Sequence, residues 1–253
     1  MKPWRHPRFL RLYEHLPHPA LDGLAAALMR VTRPRWLVRL AMAAWVRRGG
    51  IAMTDFEPGP FDSLERFFLR RLRPGARPIA PGPGPVAPVD GTVVVAQPVA
   101  ADATLIVKGR PIALAALVGR PLAPAPRRQA LTVFLSPDGY HRVHAPLPGV
   151  VRSVTPIAGR TFPQNDDALA LRPDVYLRNA RVVIACDGWS LVMVAASLVS
   201  HIAVDVRPGD ALAPGQELGH FRFGSTVVLI IDDLAQPLAP RPGEALRMGR
   251  SLV

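Results

Sequence analysis

The sequence is poor in cysteine, lysine and aromatic residues, and these shortages limit the classes of protein to which it can belong. Cys186 is the single cysteine among 253 residues, which excludes an intrachain disulfide and with it a secreted disulfide scaffold. A reduced compartment is the default for such a chain. Lys2 and Lys108 are the only lysines, so the positive charge is almost entirely arginine. Aromatic residues make up 6% of the chain, and three of the four tryptophans lie in its first 50 residues.

Proline, by contrast, is abundant. The chain has 29 prolines and 20 glycines, and proline at this frequency interrupts helices, which argues against a mostly helical domain. The glycines have no three-residue period, so the chain is not collagen-like. Hydrophobic residues make up 49% of the sequence, which is too much for wholesale disorder and enough for a real core.

The first 50 residues also carry most of the net charge. This segment contains ten basic residues and two acidic ones, so it carries +8 of the total net charge of +12. The apolar stretches 21–31 and 36–46 are shorter than the ~20 residues of a membrane-spanning helix, and arginines lie within and between them, unlike in a signal peptide. Short basic helices that carry tryptophan suit an anionic membrane interface. We therefore expect residues 1–60 to form an amphipathic helical, membrane-associating segment; a helical cap on the main domain and a nucleic-acid-binding segment are the alternatives.

Residues 61–253 are predicted to form a mainly β domain of barrel or sandwich type, so the fold class is α+β. Within it, Phe61–Leu72 has apolar residues at helical spacing and predicts an amphipathic helix ending before Pro74 and Gly75. After a proline-rich connector at 81–88, short β-branched runs separated by glycine, proline and aspartate predict strands. These runs are Thr92–Val95, Ala103–Val107, Leu131–Leu135, Val150–Pro156, Val182–Ala185, Leu191–Val199 and Thr226–Ile231.

Three short motifs contain side chains that carry chemistry, and each also has a structural interpretation. Asp90 precedes glycine before a predicted strand, which is a common turn. His141 and His144 are three residues apart, a spacing that suggests a metal, but prolines follow them and no cysteine or histidine set supplies further ligands. Ser225 follows Gly224 at the mouth of a strand, as in an ordinary turn. We expect no metal at these positions.

Taken together, the three motifs predict a nucleophile-activating relay. In such a relay a histidine takes the proton from a serine hydroxyl and an aspartate fixes the histidine tautomer. The bond that the Ser225 hydroxyl reaches most easily is the peptide bond before it. Gly224 has no Cβ, which lets the backbone bend for that close approach.

On these residues the chain resembles the phosphatidylserine decarboxylases, which carry a pyruvoyl group made by self-cleavage. The similar motifs run in the family's order from about residue 61 to the C-terminus, and the Gly-Ser-Thr block at 224–226 is the most specific. Phe223 stands where the family usually has leucine, and 194–202 lacks the family's usual glycine and asparagine. The motifs are Arg70–Ile79, Pro88–Gly91, Tyr140–Pro146, Gly159–Asn165, Arg178–Val182, Gly215–Val228 and Arg247–Gly249.

The resemblance implies a role for each site residue. Asp90, His144 and Ser225 would form the self-processing triad, with Ser225 Oγ attacking the Gly224 carbonyl. Cleavage between 224 and 225 would leave chains 1–224 and 225–253 associated as a heterodimer, with a pyruvoyl group derived from Ser225. His141 would lie beside the substrate and assist decarboxylation or reprotonation.

The implied reaction converts phosphatidylserine to phosphatidylethanolamine and CO2 through a Schiff base to the pyruvoyl group. Decarboxylation of an amino acid needs an electron sink, and the usual alternative sink, pyridoxal phosphate, needs a lysine. Lys2 lies in the basic tail, and Lys108 lies in a predicted hairpin with no phosphate loop. The lysine count therefore argues independently against pyridoxal phosphate.

The expected partners are an anionic phospholipid membrane, on its cytoplasmic face as a peripheral protein, and phosphatidylserine. A higher oligomer is left open, and no nucleic acid is expected. The first alternative is a member of the same family with another amino-acid or lipid head-group substrate. Three others are a carrier domain, a serine hydrolase and a basic barrel that binds nucleic acid. The chain has no lysine in 206–221 for a carrier hairpin, and no Gly-x-Ser-x-Gly elbow around Ser225 for a serine hydrolase.

Overall fold

The three-dimensional structure is a computed structural model. It describes residues 18–100, 102–107, 109–164, 168–169, 172, 174–197, 201–222 and 225–253. Predictions that concern residues 1–17, Lys108, Asn165, Phe223 and Gly224 lie outside these described residues.

Two helices occupy the N-terminal apolar stretches, as predicted. Helix α1 spans His18–Met29 and helix α2 spans Arg35–Gly49. Gly50 ends α2 in the left-handed conformation with φ 60°, and its N–H bonds to the carbonyl of Val46. Within the described ranges, no helix combines the length and the apolar character needed to cross a bilayer.

The predicted helix at Phe61–Leu72 is wrong in its extent, because helix α3 covers only Leu64–Phe68. Ser63 caps its start, with Oγ accepting from the backbone N–H of Arg66 at 3.3 Å. Beyond Phe68 the backbone pairs with an earlier segment instead: the N–H of Glu57 donates to the carbonyl of Arg71 at 2.9 Å. These tertiary hydrogen bonds override the helical spacing of the apolar residues. The other short helices are a 3-10 helix at Met53–Asp55, α4 at Leu114–Val118 and α5 at Val175–Arg178.

The described residues beyond the connector are mainly β, as predicted. Every predicted run contains a strand, although the run at Leu191–Val199 is a strand only as far as Ala195 among the described residues. Six further strands were not predicted, because most of them are very short or interrupted by glycine and polar residues. The strands are β1 Gly91–Pro98, β2 Thr104–Val107, β3 Arg110–Ala113, β4 Gln129–Leu135, β5 Arg142–His144, β6 Gly149–Ile157, β7 Arg181–Cys186, β8 Trp189–Ala195, β9 Ile202–Val204, β10 Ala211–Leu212, β11 Glu217–Phe221, β12 Ser225–Ile231 and β13 Ala245–Leu246.

Eight of these strands form one antiparallel sheet that curls into a half-barrel. The strand order is β10-β6-β7-β8-β12-β4-β1-β13, so β12 lies in the middle between β8 and β4. A three-stranded sheet, β5-β11-β9, and the hairpin β2-β3 complete the described β structure. All seven residues of β12 are buried.

The two faces of β12 belong to different parts of the core. Val227 and Leu229 pack in a cluster that includes Val143 of β5 and Phe221 of β11, whereas Val228 and Ile230 pack in the cluster on the opposite side. Because side chains alternate along a strand, Ser225 shares the face of Val227, which the three-stranded sheet covers. The fold therefore places this face of β12 on the same side of the sheet as β5, the strand that carries His144.

Candidate active site

Ser225 is the first residue of the central strand β12. It pairs with Leu135 at the end of β4 and with Ala195 at the end of β8, so three strand ends meet there. Ser225 is fully buried, and its Oγ has no hydrogen-bond partner among the described residues. A buried hydroxyl without a partner costs free energy, so it marks a position where chemistry is a better explanation than stability.

Two buried amides hold the end of β8 beside Ser225. Gln164 Nε2 and Asn179 Nδ2 both donate to the carbonyl of Ala195, each at 2.8 Å. Gln164 Oε1 accepts from the hydroxyl of Thr226, the residue that follows Ser225. Asn179 is itself held by the backbone of Phe162, through contacts of 3.0 and 2.8 Å. The serine is therefore flanked by fixed groups while its own hydroxyl remains unbonded.

His144 ends strand β5 with both ring nitrogens engaged. Nδ1 lies 2.9 Å from the carbonyl oxygen of Gly215, which only accepts hydrogen bonds, so Nδ1 carries the proton. Nε2 then accepts from the hydroxyl of Tyr140 at 2.9 Å. Burial lowers the pKa of His144 because the charged form loses its hydration. The imidazole is thus neutral and oriented, with its basic lone pair on Nε2.

Asp90 is the counter-ion of Arg77. Arg77 Nη2 lies 2.7 Å from Asp90 Oδ2, and the backbone N–H of Met248 donates to Asp90 Oδ1 at 2.7 Å. Arg77 also contacts Asp55 at 2.8 Å. Burial opposes the charge of Arg77, but hydrogen bonds to Asp90 and Asp55 outweigh it and raise the pKa of Arg77. The contact through Met248 brings the C-terminal motif Arg247–Gly249 against the Asp90 motif.

The structure brings Asp90 and His144 into adjacent segments without joining them directly. The backbone N–H of His144 donates to the carbonyl of Pro88 at 2.9 Å, two residues before Asp90. Among the described residues, the imidazole bonds to Gly215 and Tyr140. Asp90 acts on it only electrostatically, because its negative charge favours the protonated ring. Ser225 Oγ bonds to neither of them. The triad therefore stays a prediction: Asp90 and His144 lie on adjacent segments, and no hydrogen bond among the described residues links either of them to Ser225.

His141 is buried at the end of the loop between β4 and β5. Its ring packs against Phe68 of α3 at a tilt of 38°, with centroids 4.1 Å apart, and Nδ1 lies 3.2 Å from the carbonyl oxygen of Gly139. Burial lowers the pKa of His141 to about 3, so the ring is neutral at pH 7. Its Nε2 is buried without a partner among the described residues. The carbonyl of His141 accepts from Phe221 N–H at 3.0 Å, which joins this loop to the strand that leads to Ser225.

The loop that carries His141 is held by a buried arginine. Nη2 of Arg70 donates to the carbonyls of Asp138 and Gly139, each at 2.7 Å, and the guanidinium carbon lies 4.4 Å from the centroid of the Phe56 ring. Burial lowers the pKa of Arg70 to about 10, which leaves it charged at pH 7. A charged donor to two successive carbonyls is a strong constraint on the loop conformation.

One group of potential metal ligands occurs in the described part of the chain. Asp205, Glu217 and His220 place one ligand atom each within 4.8 Å of one another. Glu217, however, also pairs with Arg142 and lies 3.8 Å from Arg71. The nearby arginine charges oppose a cation, so the group reads as an ion-pair network.

The order and placement of these motifs agree with comparisons to known proteins. A family model for phosphatidylserine decarboxylase matches residues 64–253. The chain belongs to the phosphatidylserine decarboxylase family. It is 33% identical over 270 residues to the phosphatidylserine decarboxylase proenzyme of Xanthomonas euvesicatoria, which covers 91% of this chain and 95% of that protein. It is 30% identical over 270 residues to the proenzyme of the same name from Pseudomonas putida, covering 94% of each chain. The family resemblance inferred from the motifs is confirmed.

Sequence reasoning missed several residues that position this family's motifs. Arg77 and Tyr140 lie inside motifs that carry the resemblance, yet nothing in the sequence pairs them with Asp90 and His144. Gly215 acts through a backbone carbonyl, which leaves no side-chain signal. Gln164 also lies in a motif, but its contact with Thr226 joins residues 62 positions apart.

Proposed function

We propose that this protein decarboxylates phosphatidylserine to phosphatidylethanolamine and CO2, with a pyruvoyl group made from Ser225 by self-cleavage. The single observation that supports this most strongly is the fully buried, unpartnered Oγ of Ser225 at the start of the central strand, in a chain of this family. The proteins that it resembles are named phosphatidylserine decarboxylase proenzymes. A carboxy-lyase that begins as a proenzyme is the activity consistent with both.

In the proposed self-cleavage, Ser225 Oγ attacks the carbonyl carbon of Gly224 and the peptide C–N bond breaks, leaving an ester and a free amine. Nε2 of His144 is the neutral base that we assign to the hydroxyl proton, once Tyr140 gives up its hydrogen bond. Elimination of the ester frees the carboxylate of Gly224, and hydrolysis then releases ammonia to leave the pyruvoyl group. Asp90 favours the protonated imidazole through its field, and Arg77 holds the carboxylate in place.

The cleaved chains would stay together because the small chain supplies the central strand. In chain 225–253, β12 pairs along its whole length with β4 and β8, and all its residues are buried. Burial on this scale stabilises a complex strongly, at ~25 cal/mol per Å² of apolar surface. The products are therefore expected to copurify as a heterodimer of chains 1–224 and 225–253.

A pyruvoyl group at position 225 would supply the electron sink that decarboxylation of the serine head group needs. His141 is the residue that we assign to the substrate, because its unprotonated Nε2 is buried without a partner. Nε2 would accept a hydrogen bond from the substrate amine. Nε2 would take up a proton from the ammonium group of the substrate and return it to the α-carbon once CO2 has left. Phe68 and the buried strand ends exclude water from this step.

We also propose that residues 1–60 associate with the membrane surface, ahead of a catalytic domain at 61–253. Of the eight exposed large hydrophobic residues described, six lie on α1, α2 and the segment between them, and Arg33, Arg35 and Arg39 lie among them. Such a basic, apolar surface suits the interface of an anionic leaflet on the cytoplasmic side. The six residues, here called the apolar patch, are Leu24, Leu28, Val31, Trp36, Leu37 and Leu40.

An intact mass spectrum of the purified protein tests the chemistry. We expect two chains with a break between 224 and 225, and a small chain whose N-terminal mass corresponds to pyruvoyl rather than serine. Ser225→Ala should give a single chain of 27.4 kDa that does not release CO2 from phosphatidylserine. A single uncut chain with full decarboxylase activity would contradict the pyruvoyl proposal.

A further inference from the structure

A cationic cluster lies between the N-terminal helices and the strand that leads to Ser225. Arg30, just beyond the end of α1, places Nε 3.1 Å from Glu65 Oε1, and Arg222 places Nη1 3.6 Å from the same oxygen. One carboxylate oxygen thus joins two guanidinium groups from segments 192 residues apart (222 − 30). His201 is near enough that, besides partial burial, the charges of Arg222 and Arg30 lower its pKa.

The chain connects this cluster to the reacting residue through a short segment. Arg222 is three residues before Ser225, and its backbone N–H donates to the carbonyl of His201 at 3.2 Å. The preceding residue, Phe221, bonds to the carbonyl of His141. Arg222 therefore extends from the same short segment that connects the His141 loop to the start of β12.

The cluster has an excess positive charge and an unfilled donor. Arg30 and Arg222 carry two positive charges against the single negative charge of Glu65, which leaves a net +1. Nε of Arg222 is buried and has no acceptor among the described residues. The side chains of Arg30 and Arg222 nevertheless remain 52% and 34% exposed, so a solute can reach them. A monoanion with several acceptor oxygens would balance the charge and accept hydrogen bonds from the two partly exposed guanidinium groups.

Two residues of the apolar patch lie on α1, shortly before Arg30 of this cluster. Leu24 and Leu28 of α1 are each 60% exposed, and Arg30 follows Leu28 by two residues. A phospholipid has this same arrangement of chemistry, in which acyl chains are followed by a phosphate and then by the head group. In phosphatidylserine the phosphate is separated by only a few bonds from the carbon that loses CO2.

From this arrangement we infer that Arg222, assisted by Arg30, binds the phosphodiester of the substrate and so selects a phosphorylated serine head group over serine without a phosphate. The inference rests on the proposed function and adds the basis of its specificity. Glu65 keeps the two arginines together before the lipid arrives. A phosphate bound there would direct the serine amine and carboxylate toward Ser225 and His141.

The test compares two substrates that differ in the phosphate. Short-chain phosphatidylserine and an O-alkyl-L-serine of matched chain length both offer the amine and carboxylate, but only the first has a phosphodiester. For Arg222→Gln we expect kcat/KM to fall about 10- to 100-fold on phosphatidylserine, as for loss of a charged hydrogen bond, and to change less than about threefold on the O-alkyl serine. Arg222→Lys keeps the positive charge but not the planar guanidinium that donates two parallel hydrogen bonds, so it should recover part of the loss.

Arg152→Gln is the matched control, because Arg152 is exposed and pairs with Asp187 on a distant hairpin. It should leave both substrates unaffected. An equal loss on both substrates in Arg222→Gln, or no loss on either, would overturn the inference.

A binding measurement separates this inference from the proposed reaction. In the uncleaved Ser225→Ala chain, Arg222→Gln should raise the Kd for short-chain phosphatidylserine about 10- to 100-fold by calorimetry. If the wild-type chain neither cleaves itself nor releases CO2, the proposed function fails while this binding result still decides the subsite. An unchanged Kd would reject the subsite even in an active enzyme.

Discussion

Trp45 donates a hydrogen bond from Nε1 to Oδ1 of Asp138 at 2.7 Å, which ties helix α2 to the loop that ends at His141. The indole also packs edge-on against Phe67, with centroids 5.8 Å apart. The last residue of the helix, Gly49, lies close to Asp138. A Cβ at this position would lie 2.7 Å from the carboxyl carbon of Asp138. Trp45 therefore faces the domain, whereas Trp36 is 68% exposed and available to a membrane.

Trp45→Phe should lower the free energy of unfolding by about 1–2 kcal/mol, because it leaves a carboxylate without its donor. Urea denaturation of the uncleaved Ser225→Ala chain measures this, since a single chain keeps the transition interpretable. Trp36→Phe is the matched control and should change the free energy by less than ~0.5 kcal/mol. Equal effects of the two substitutions would show that the hydrogen bond to Asp138 makes no net contribution to the free energy of unfolding.

Substitution of the two site histidines should separate self-cleavage from decarboxylation. His144→Ala removes the base with the oriented Nε2, so the chain should remain uncut on denaturing gels. His141→Ala should cleave normally, yet its kcat for decarboxylation should fall about 100-fold or more, as for loss of a general acid. If both variants stay uncut, or both cleave and turn over equally, the division of roles is wrong.

The buried histidines predict that stability falls as the solution becomes acidic. The pKa of His141 is about 3 in the folded chain, against about 6.5 when unfolded, so between these values the unfolded chain binds a proton that the folded chain does not. Lowering the pH from 6.5 to 5 should therefore reduce the free energy of unfolding by roughly 2 kcal/mol through His141 alone.

The measurement is urea denaturation of the Ser225→Ala chain at pH 7, 6 and 5, with and without His141→Gln. His144, His201 and His220 also have lowered pKa values, so only the difference between the two chains isolates His141. The His141→Gln chain should lose less stability over this range. Parallel pH profiles would contradict the burial of a neutral imidazole at this position.

The apolar patch predicts membrane binding that depends on a few side chains. Leu28→Ser together with Leu40→Ser should reduce flotation with anionic vesicles at least tenfold, since each substitution removes apolar area from the interface. Both positions are about 60% exposed, so folding should be unaffected. Ile106→Ser is the control, because Ile106 is 42% exposed on the separate β2-β3 hairpin. Vesicle binding that is unchanged in the double variant would reject the patch as the contact surface.

Local pattern was enough to predict much of this protein. The β-branched runs at 92–95 and 226–231 predicted strands because side-chain preference and punctuation act over a few residues. The motifs around Asp90, His144 and Ser225 predicted the family, since the resemblance depends on residue types within short segments and on the order of those segments. The same local pattern failed at 61–72, where hydrogen bonds between residues 55–57 and 71–73 replaced the end of a helix.

Contacts between distant segments had to be seen in three dimensions. No short-range pattern joins Arg77 to Asp90, assigns the tautomer of His144 to the Gly215 carbonyl, or turns Trp45 inward and Trp36 outward. The cluster of Arg30, Glu65 and Arg222 likewise depends on where α1 lies against the end of β11. The residue types were set by local chemistry, while their partners, burial and charge balance depend on long-range packing, which side-chain periodicity does not encode.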